Sequence, residues 1–199
     1  MPSSLKSMYK RQLTAVRKHD DRGAVAAYVE ASERLVAMYP DRATAWLELG
    51  RAFAAVARYV DARKALDKSI SLCAREYLRF PYLEKGFMYR SQGKPKLAER
   101  WFRKCIELDS KDADAWAFLG SCLARQGRLK EAKAAWRRQI RLGTGATDEG
   151  YLNLGLILRA ERRYKEALRH ADKALELDAR YKEAQELRND LLQVLGDGI

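Results

Sequence analysis

Residues 116–136 read WAFLGSCLARQGRLKEAKAAW. Trp116, Leu119, Gly120 and Leu123 fall at i, i+3, i+4 and i+7, one apolar stripe of an amphipathic helix. Gly127 stands where a left-handed residue can end that helix. Ala132 and Trp136 then open a second stripe, with Lys130, Lys133, Arg137 and Arg138 on its wet side. Small residues at Gly120 and Ala132 let two helix backbones approach, and the large rings fill the space that remains. The stretch therefore predicts two short helices packed back to back.

The same pattern recurs along the chain. Aligned on Gly50, Gly86, Gly120 and Gly155, the copies step by 36, 34 and 35 residues. Four residues before each glycine stand Trp46, Tyr82, Trp116 and Tyr151, and three residues after it Phe53, Tyr89, Leu123 and Leu158. Twelve residues after it comes Ala62, Ala98, Ala132 or Ala167. A turn beyond the alanine stand Leu66, Phe102 and Trp136, with Ala171 in the fourth copy. No single hairpin buries such stripes alone, so neighbours must stack.

These residues resemble the tetratricopeptide repeat, over about residues 43–181. Two departures stand out: Lys85 occupies the leucine position of the second copy, and Ala74, Ser110, Thr144 and Ala179 replace the usual proline after the second helix. The resemblance implies an all-α fold, a right-handed α-solenoid of four helix-turn-helix repeats at 43–78, 79–112, 113–147 and 148–181. Upstream, residues 1–42 predict a degenerate helical hairpin whose spacing does not match the repeat. Downstream, residues 182–199 predict a capping helix and tail. With no linker in sequence, 1–199 reads as a single domain.

Composition narrows the function. With 47% apolar residues the chain can bury a core. Its longest apolar runs fall short of the roughly 18 to 20 residues of a membrane span, and MPSSLKSMYKRQL lacks the apolar centre of a secretory signal. Cys73, Cys105 and Cys122 lie in apolar helical patterns without CxxC spacing and predict buried free thiols. A cytoplasmic setting is expected. The competing reading is organellar targeting or a membrane-surface helix, since residues 1–19 carry Lys6, Lys10, Arg11, Arg17 and Lys18 opposite Leu5, Met8, Tyr9, Leu13 and Val16, with no acid. His19 and His170 have no His or Cys a turn away, so no metal is expected. The run GTGATDEG (143–150) lacks a GK[ST] ending and follows a helical pattern, so it reads as a turn and not a phosphate loop. The carboxylates of KEAL, AERW and ELD lie on charged helix faces. Neither catalysis nor a cofactor is expected.

The net charge of +12 is uneven. Residues 113–147 hold 7 Lys+Arg against 2 Asp+Glu, and residues 148–199 hold 9 against 11. An anionic partner, or contact between copies through unlike ends, follows as a class of function.

At about 100° per residue, offsets −6, −3, −2, +1, +4 and +5 from each glycine share an arc separate from the −4, −1, 0, +3 stripe. The resemblance implies that this second arc lines a concave groove receiving a peptide. Its apolar members are Leu47, Leu83, Phe87, Phe118, Leu152 and Leu156; its cations are Arg51, Arg90, Arg125 and Arg159; Ser121 and Asn153 are polar members, and the resemblance implies that Asn153 hydrogen-bonds a ligand backbone. The partner expected is another protein, through an apolar segment with acidic residues. The carboxylate clamp of the family's chaperone-binding members is absent, because Leu47, Arg51, Glu84, Asp114 and Phe118, or one repeat later Leu83, Phe87, Phe118, Glu149 and Asn153, hold its places. Non-enzymatic adaptor is the reading. Its alternatives are nucleic-acid or other polyanion binding by the basic middle repeats, which the Leu-Gly and Ala signature weighs against, and homo-oligomeric assembly; the rival to an open groove is one filled by the protein's own terminal helix or by a second copy.

Overall fold

A computed structural model describes residues 3–21 and 24–196, with side chains over 7–20 and 24–196. Leu5 and Lys6 of the basic face, and the tail from residue 197, lie outside the described side chains. The described chain is helical throughout: α1 (Ser3–Asp21), α2 (Val25–Met38), α3 (Ala43–Ala55), α4 (Tyr59–Leu72), α5 (Arg79–Ser91), α6 (Pro95–Leu108), α7 (Ala113–Ala124), α8 (Leu129–Leu142), α9 (Thr147–Ala160), α10 (Tyr164–Leu177) and α11 (Lys182–Gly196), with a 3₁₀ turn at Arg75–Tyr77. It forms two compact units, Met1–Lys104 and Cys105–Ile199.

The glycines do what their spacing predicts. A Cβ on Gly120 would stand 2.5 Å from Trp136 Nε1, one on Gly86 2.5 Å from Phe102 Cε1, and one on Gly50 2.7 Å from Leu66 Cδ2. Each large residue of a second helix thus fills the notch left by the glycine of the first. In the fourth copy, where Ala171 is too small, Leu187 of α11 reaches in instead, 2.9 Å from where a Gly155 Cβ would be. Seven residues after each glycine the chain turns left-handed, at Ala57 (φ 58°), Gly93 (68°), Gly127 (72°) and Arg162 (59°). The following N–H then donates back over the helix end: Arg58 to the Phe53 carbonyl (2.9 Å), Lys94 to Tyr89 (2.9 Å), Arg128 to Leu123 (3.0 Å) and Arg163 to Leu158 (2.9 Å). This is a helix-terminating motif repeated in every copy, satisfying a carbonyl the helix leaves open.

Two expectations are corrected. The residues at offset −4 are only half-buried: Trp46 Nε1 donates to the Pro40 carbonyl (2.8 Å) and Trp116 Nε1 to that of Ser110 (3.0 Å), so these rings pin their own inter-repeat loops. The hairpin of α1 and α2 is degenerate in residue type but not in spacing. Val16, Tyr28 and Ser32 stand 34 residues before Gly50, Ala62 and Leu66 and are all buried, with the sizes inverted. Val16 replaces the glycine, Tyr28 the alanine and Ser32 the large residue.

The apolar side of α1 packs inward. Val16 is buried, Tyr9 and Leu13 pack on the same core, the Tyr9 ring meets Tyr39 edge-on at 4.9 Å, and its hydroxyl bonds Thr44. Three members of the apolar face thus close the first unit, while Met8 on the same helix is exposed. Lys85, the misfit of the second copy, is buried through its stem while its ammonium pairs with Asp67 and lies 4.0 Å from the centre of the Trp101 ring. At the other end α11 packs as the first helix of a further repeat, burying Ala184, Leu187 and Leu191. Gln185, Arg188 and Asn189 hold the positions of aromatic, Leu and Gly, so the face on which a next helix would stack is polar.

Candidate protein-binding surface

The second arc lies on the first helix of each repeat, α3, α5, α7 and α9. Helical geometry places its residues together within a repeat, but burial divides them. Leu47, Leu83 and Leu152 are only 8%, 8% and 6% exposed. These first helices are buried on two faces, one against their own second helix and one against neighbouring repeats, and offset −3 falls on the latter. Phe87, Phe118, Ser121 and Asn153 are half-buried, and Leu156 is exposed.

The four arginines are not equivalent. Arg51 is the centre of a charge cluster in the first unit: it donates to Asp20 Oδ2 (3.1 Å) and Glu48 Oε2 (3.2 Å) and pairs with Glu84 Oε1 (3.3 Å). Glu48 is completely buried and also accepts from Arg17 Nε (2.7 Å) and the Tyr28 hydroxyl (2.8 Å). Burial opposes the charge of Arg51, but Glu84, Tyr28, Glu48 and Asp20 outweigh it and raise its pKa. Burial pushes the Glu84 carboxyl above the usual range against the pull of Arg51. Burial first, then Glu48, raises the Tyr28 phenol, which stays protonated and donating. This cluster ties α1, α3 and α5 together. Arg159 pairs with Asp190 of α11 at 3.2 Å. Arg90 lies 5.1 Å over the Phe87 ring, which meets the buried Phe102 edge-on at 5.7 Å. Arg125 is exposed and makes no ion pair among the described residues.

In the first unit the arc opens into a cleft of about 230 Å³ lined by Arg17, Ala43, Thr44, Leu47, Ser69, Cys73, Tyr77, Phe80 and Pro81. Thr44 and Phe80 are the same register position, offset −6, in consecutive repeats. Tyr77 and Phe80 are 56% and 51% exposed. Tyr77 escaped sequence reading because it belongs to the 3₁₀ turn that replaces the family's proline, a segment without period. Burial raises the pKa of the Cys73 thiol at the cleft wall. Cys105 and Cys122 are buried, as the pattern predicts, whereas Cys73, at the end of its helix, is only half-buried.

No group of three or more His, Cys, Asp or Glu that could hold a metal occurs among the described residues, and no described helix is long and apolar enough to cross a membrane.

Stacked helical hairpins with notch-and-knob packing define an α-solenoid repeat protein. Family models described as "Tetratricopeptide repeat" match residues 13–76, 88–147 and 148–181, and the chain belongs to the tetratricopeptide repeat family. The first match begins within α1, in agreement with the phase of the α1–α2 hairpin. No curated protein matches the chain. Among solved structures it is similar to YrrB, a TPR protein with an unusual peptide-binding site, at 18% identity and TM-score 0.67 over 89% of this chain and 90% of that one. It is similar also to MamA from Desulfovibrio magneticus RS-1, at 19% identity and TM-score 0.71 over 87% and 96%. Cut9, from the APC/C hetero-tetramer Cut9-Hcn1, aligns at 16% identity and TM-score 0.72 over 93% of this chain but 36% of its own. At these identities the likeness is one of fold.

Proposed function

We propose that the protein is a non-enzymatic adaptor that holds an apolar, acidic segment of a partner protein against the arc of its first helices. The observation that carries this reading is the cleft of the first unit, where equivalent positions of two consecutive repeats, Thr44 and Phe80, line one recess with Leu47. Large apolar side chains open to solvent beside a recess are the usual mark of an interaction surface. Phe80 and Tyr77 serve as anchors there. Phe87 extends the arc within the first unit; Phe118 and Leu156, with Ser121 and Asn153 as hydrogen-bonding partners, are its counterparts within the second. Arg125 is the cation best placed to meet a ligand carboxylate, and Arg90 is a second one held over its phenylalanine. Arg51 and Arg159 act on the protein's own carboxylates, and Leu47, Leu83 and Leu152 shape the floor. A short segment captured this way binds at about micromolar affinity.

The test is a titration of the partner recovered from native lysate against wild type, Phe80→Ala with Phe87→Ala, and Arg125→Glu, at two salt concentrations. Affinity should fall in both variants while melting stays at the wild-type value. Unfolding by the Phe pair would place those rings in the core. Dependence on the arginine alone, with binding lost steeply in salt, would replace peptide capture by polyanion binding.

A further inference from the structure

The second unit carries a recess outside the arc. Between α8 and α10, over α9, lies a cleft of about 500 Å³ lined by Ala134, Arg137, Ile140, Arg141, Tyr151, Leu154 and His170. None of these is an arc position. Its floor is apolar, with Leu154 buried and Ile140 and the Tyr151 ring half-buried. Its rim is cationic. Arg137 and Arg141, one turn apart on α8, are exposed and form no ion pair among the described residues, and the same holds for Lys130 on α8 and Arg169 on α10. Their neighbours differ, since Lys133 pairs with Glu161, Arg128 with Glu131 and Lys173 with Glu176. Along this side of α8 and α10, then, four cations stand together without a carboxylate among the described residues paired to any of them. His170 Nδ1 is buried there without a hydrogen-bond partner. Burial, and after it Arg137 and Arg169, hold that imidazole below its usual pKa against the opposing pull of Glu166. No carboxylate is among the residues that line the cleft.

We propose that this cleft is a second docking site, taking an acidic segment of a partner protein whose apolar side chains enter between α8 and α10 while its carboxylates pair with Arg137 and Arg141. Charge complementarity requires an acidic ligand, and the recessed floor of Ile140 and Leu154 selects its kind. The leucine-sized floor of Ile140 and Leu154 favours an aliphatic side chain over a sugar-phosphate chain, and a flat bilayer cannot reach into a recess. A segment alternating carboxylates with leucine-sized side chains matches both parts. The site is independent of the arc, so either can fail without the other.

The test uses the full chain and synthetic peptides followed by fluorescence anisotropy. An amphipathic peptide of Glu and Leu should bind, and one with Ser for Leu or Lys for Glu should not. Arg137→Glu with Arg141→Glu should weaken binding by about tenfold, Arg137→Lys with Arg141→Lys should retain most of it, and Phe80→Ala with Phe87→Ala should leave it unchanged. Melting temperature serves as the control on folding. Equal binding to the charge-reversed chain overturns the proposal. So does equal binding of the Glu-Ser peptide, which would reduce the site to bare charge. Tighter binding of a uridine-rich RNA, lost in the same variant, would make the cleft a nucleic-acid surface. Sedimentation showing self-association that the variant abolishes would give it to a second copy of the chain.

Discussion

At the scale of the residue, the repeat rests on the exclusion of a single carbon. Gly120→Ala would place a Cβ 2.5 Å from the Trp136 indole nitrogen, and the ring, itself 3% exposed, has nowhere to retreat. Overpacking of this kind costs about 1–3 kcal/mol, and for a chain of this size each kcal/mol lowers the melting temperature by about 2–4 °C. Thermal melts of Gly120→Ala should show that drop, while Gly127→Ala, whose Cβ would meet nothing within 4 Å, should lose only what a left-handed backbone costs an alanine. Equal losses would mean that the notch is not a close contact. These positions were legible in the sequence because a knob sixteen residues beyond each glycine fixes the phase. Leu187 was not, because the knob for Gly155 comes from a different hairpin and no local spacing announces it.

At the scale of the element, the first helices were read as one-sided and proved two-sided. A stripe analysis finds the face with the strongest period, and Ala45, Ala52, Pro81, Ala115 and Cys122 on the other side are too small or too ordinary to register, though all are buried. Glu48 was equally opaque: a glutamate in a helix reads as solvated, yet it is completely buried and receives Arg17, Tyr28 and Arg51. Its partners come from residues 17, 28 and 51, and only the fold gathers them. Without Glu48, Arg51 keeps Asp20 and Glu84 and Arg17 turns to solvent, but the buried Tyr28 hydroxyl is left without its acceptor, at a cost of about 1–3 kcal/mol. Glu48→Ala should therefore destabilise the first unit measurably in a urea titration, and hydrogen exchange should show α1 and α2 losing protection first. A shift no larger than that of a surface substitution would show the cluster to be ornamental to stability.

At the scale of the whole molecule, the family and the helical hairpins were written in the spacing, while the ends were not. The α1–α2 hairpin is in phase with inverted sizes, and α11 is a first helix whose outward face has turned polar. Because each hairpin of a solenoid is held by its neighbours, damage should spread only locally. Leu187→Ala deletes the knob beneath Gly155, at about 2–5 kcal/mol. Hydrogen exchange should report it as faster opening of α9, α10 and α11, with α3 and α4 unchanged; uniform opening of the chain would indicate all-or-none cooperativity instead. The packing that makes these arguments also furnishes optical reporters. Four tryptophans are built in, Trp46 and Trp101 in the first unit, Trp116 and Trp136 in the second. Trp136 sits dry on Gly120, whereas Trp101 lies beside the ammonium groups of Lys85, 4.0 Å from its centre, and Lys104, at 4.5 Å. One indole therefore emits from an apolar notch and another from beside two cations, and with Trp46 and Trp116 replaced by Phe each unit would carry a single reporter of distinct surroundings.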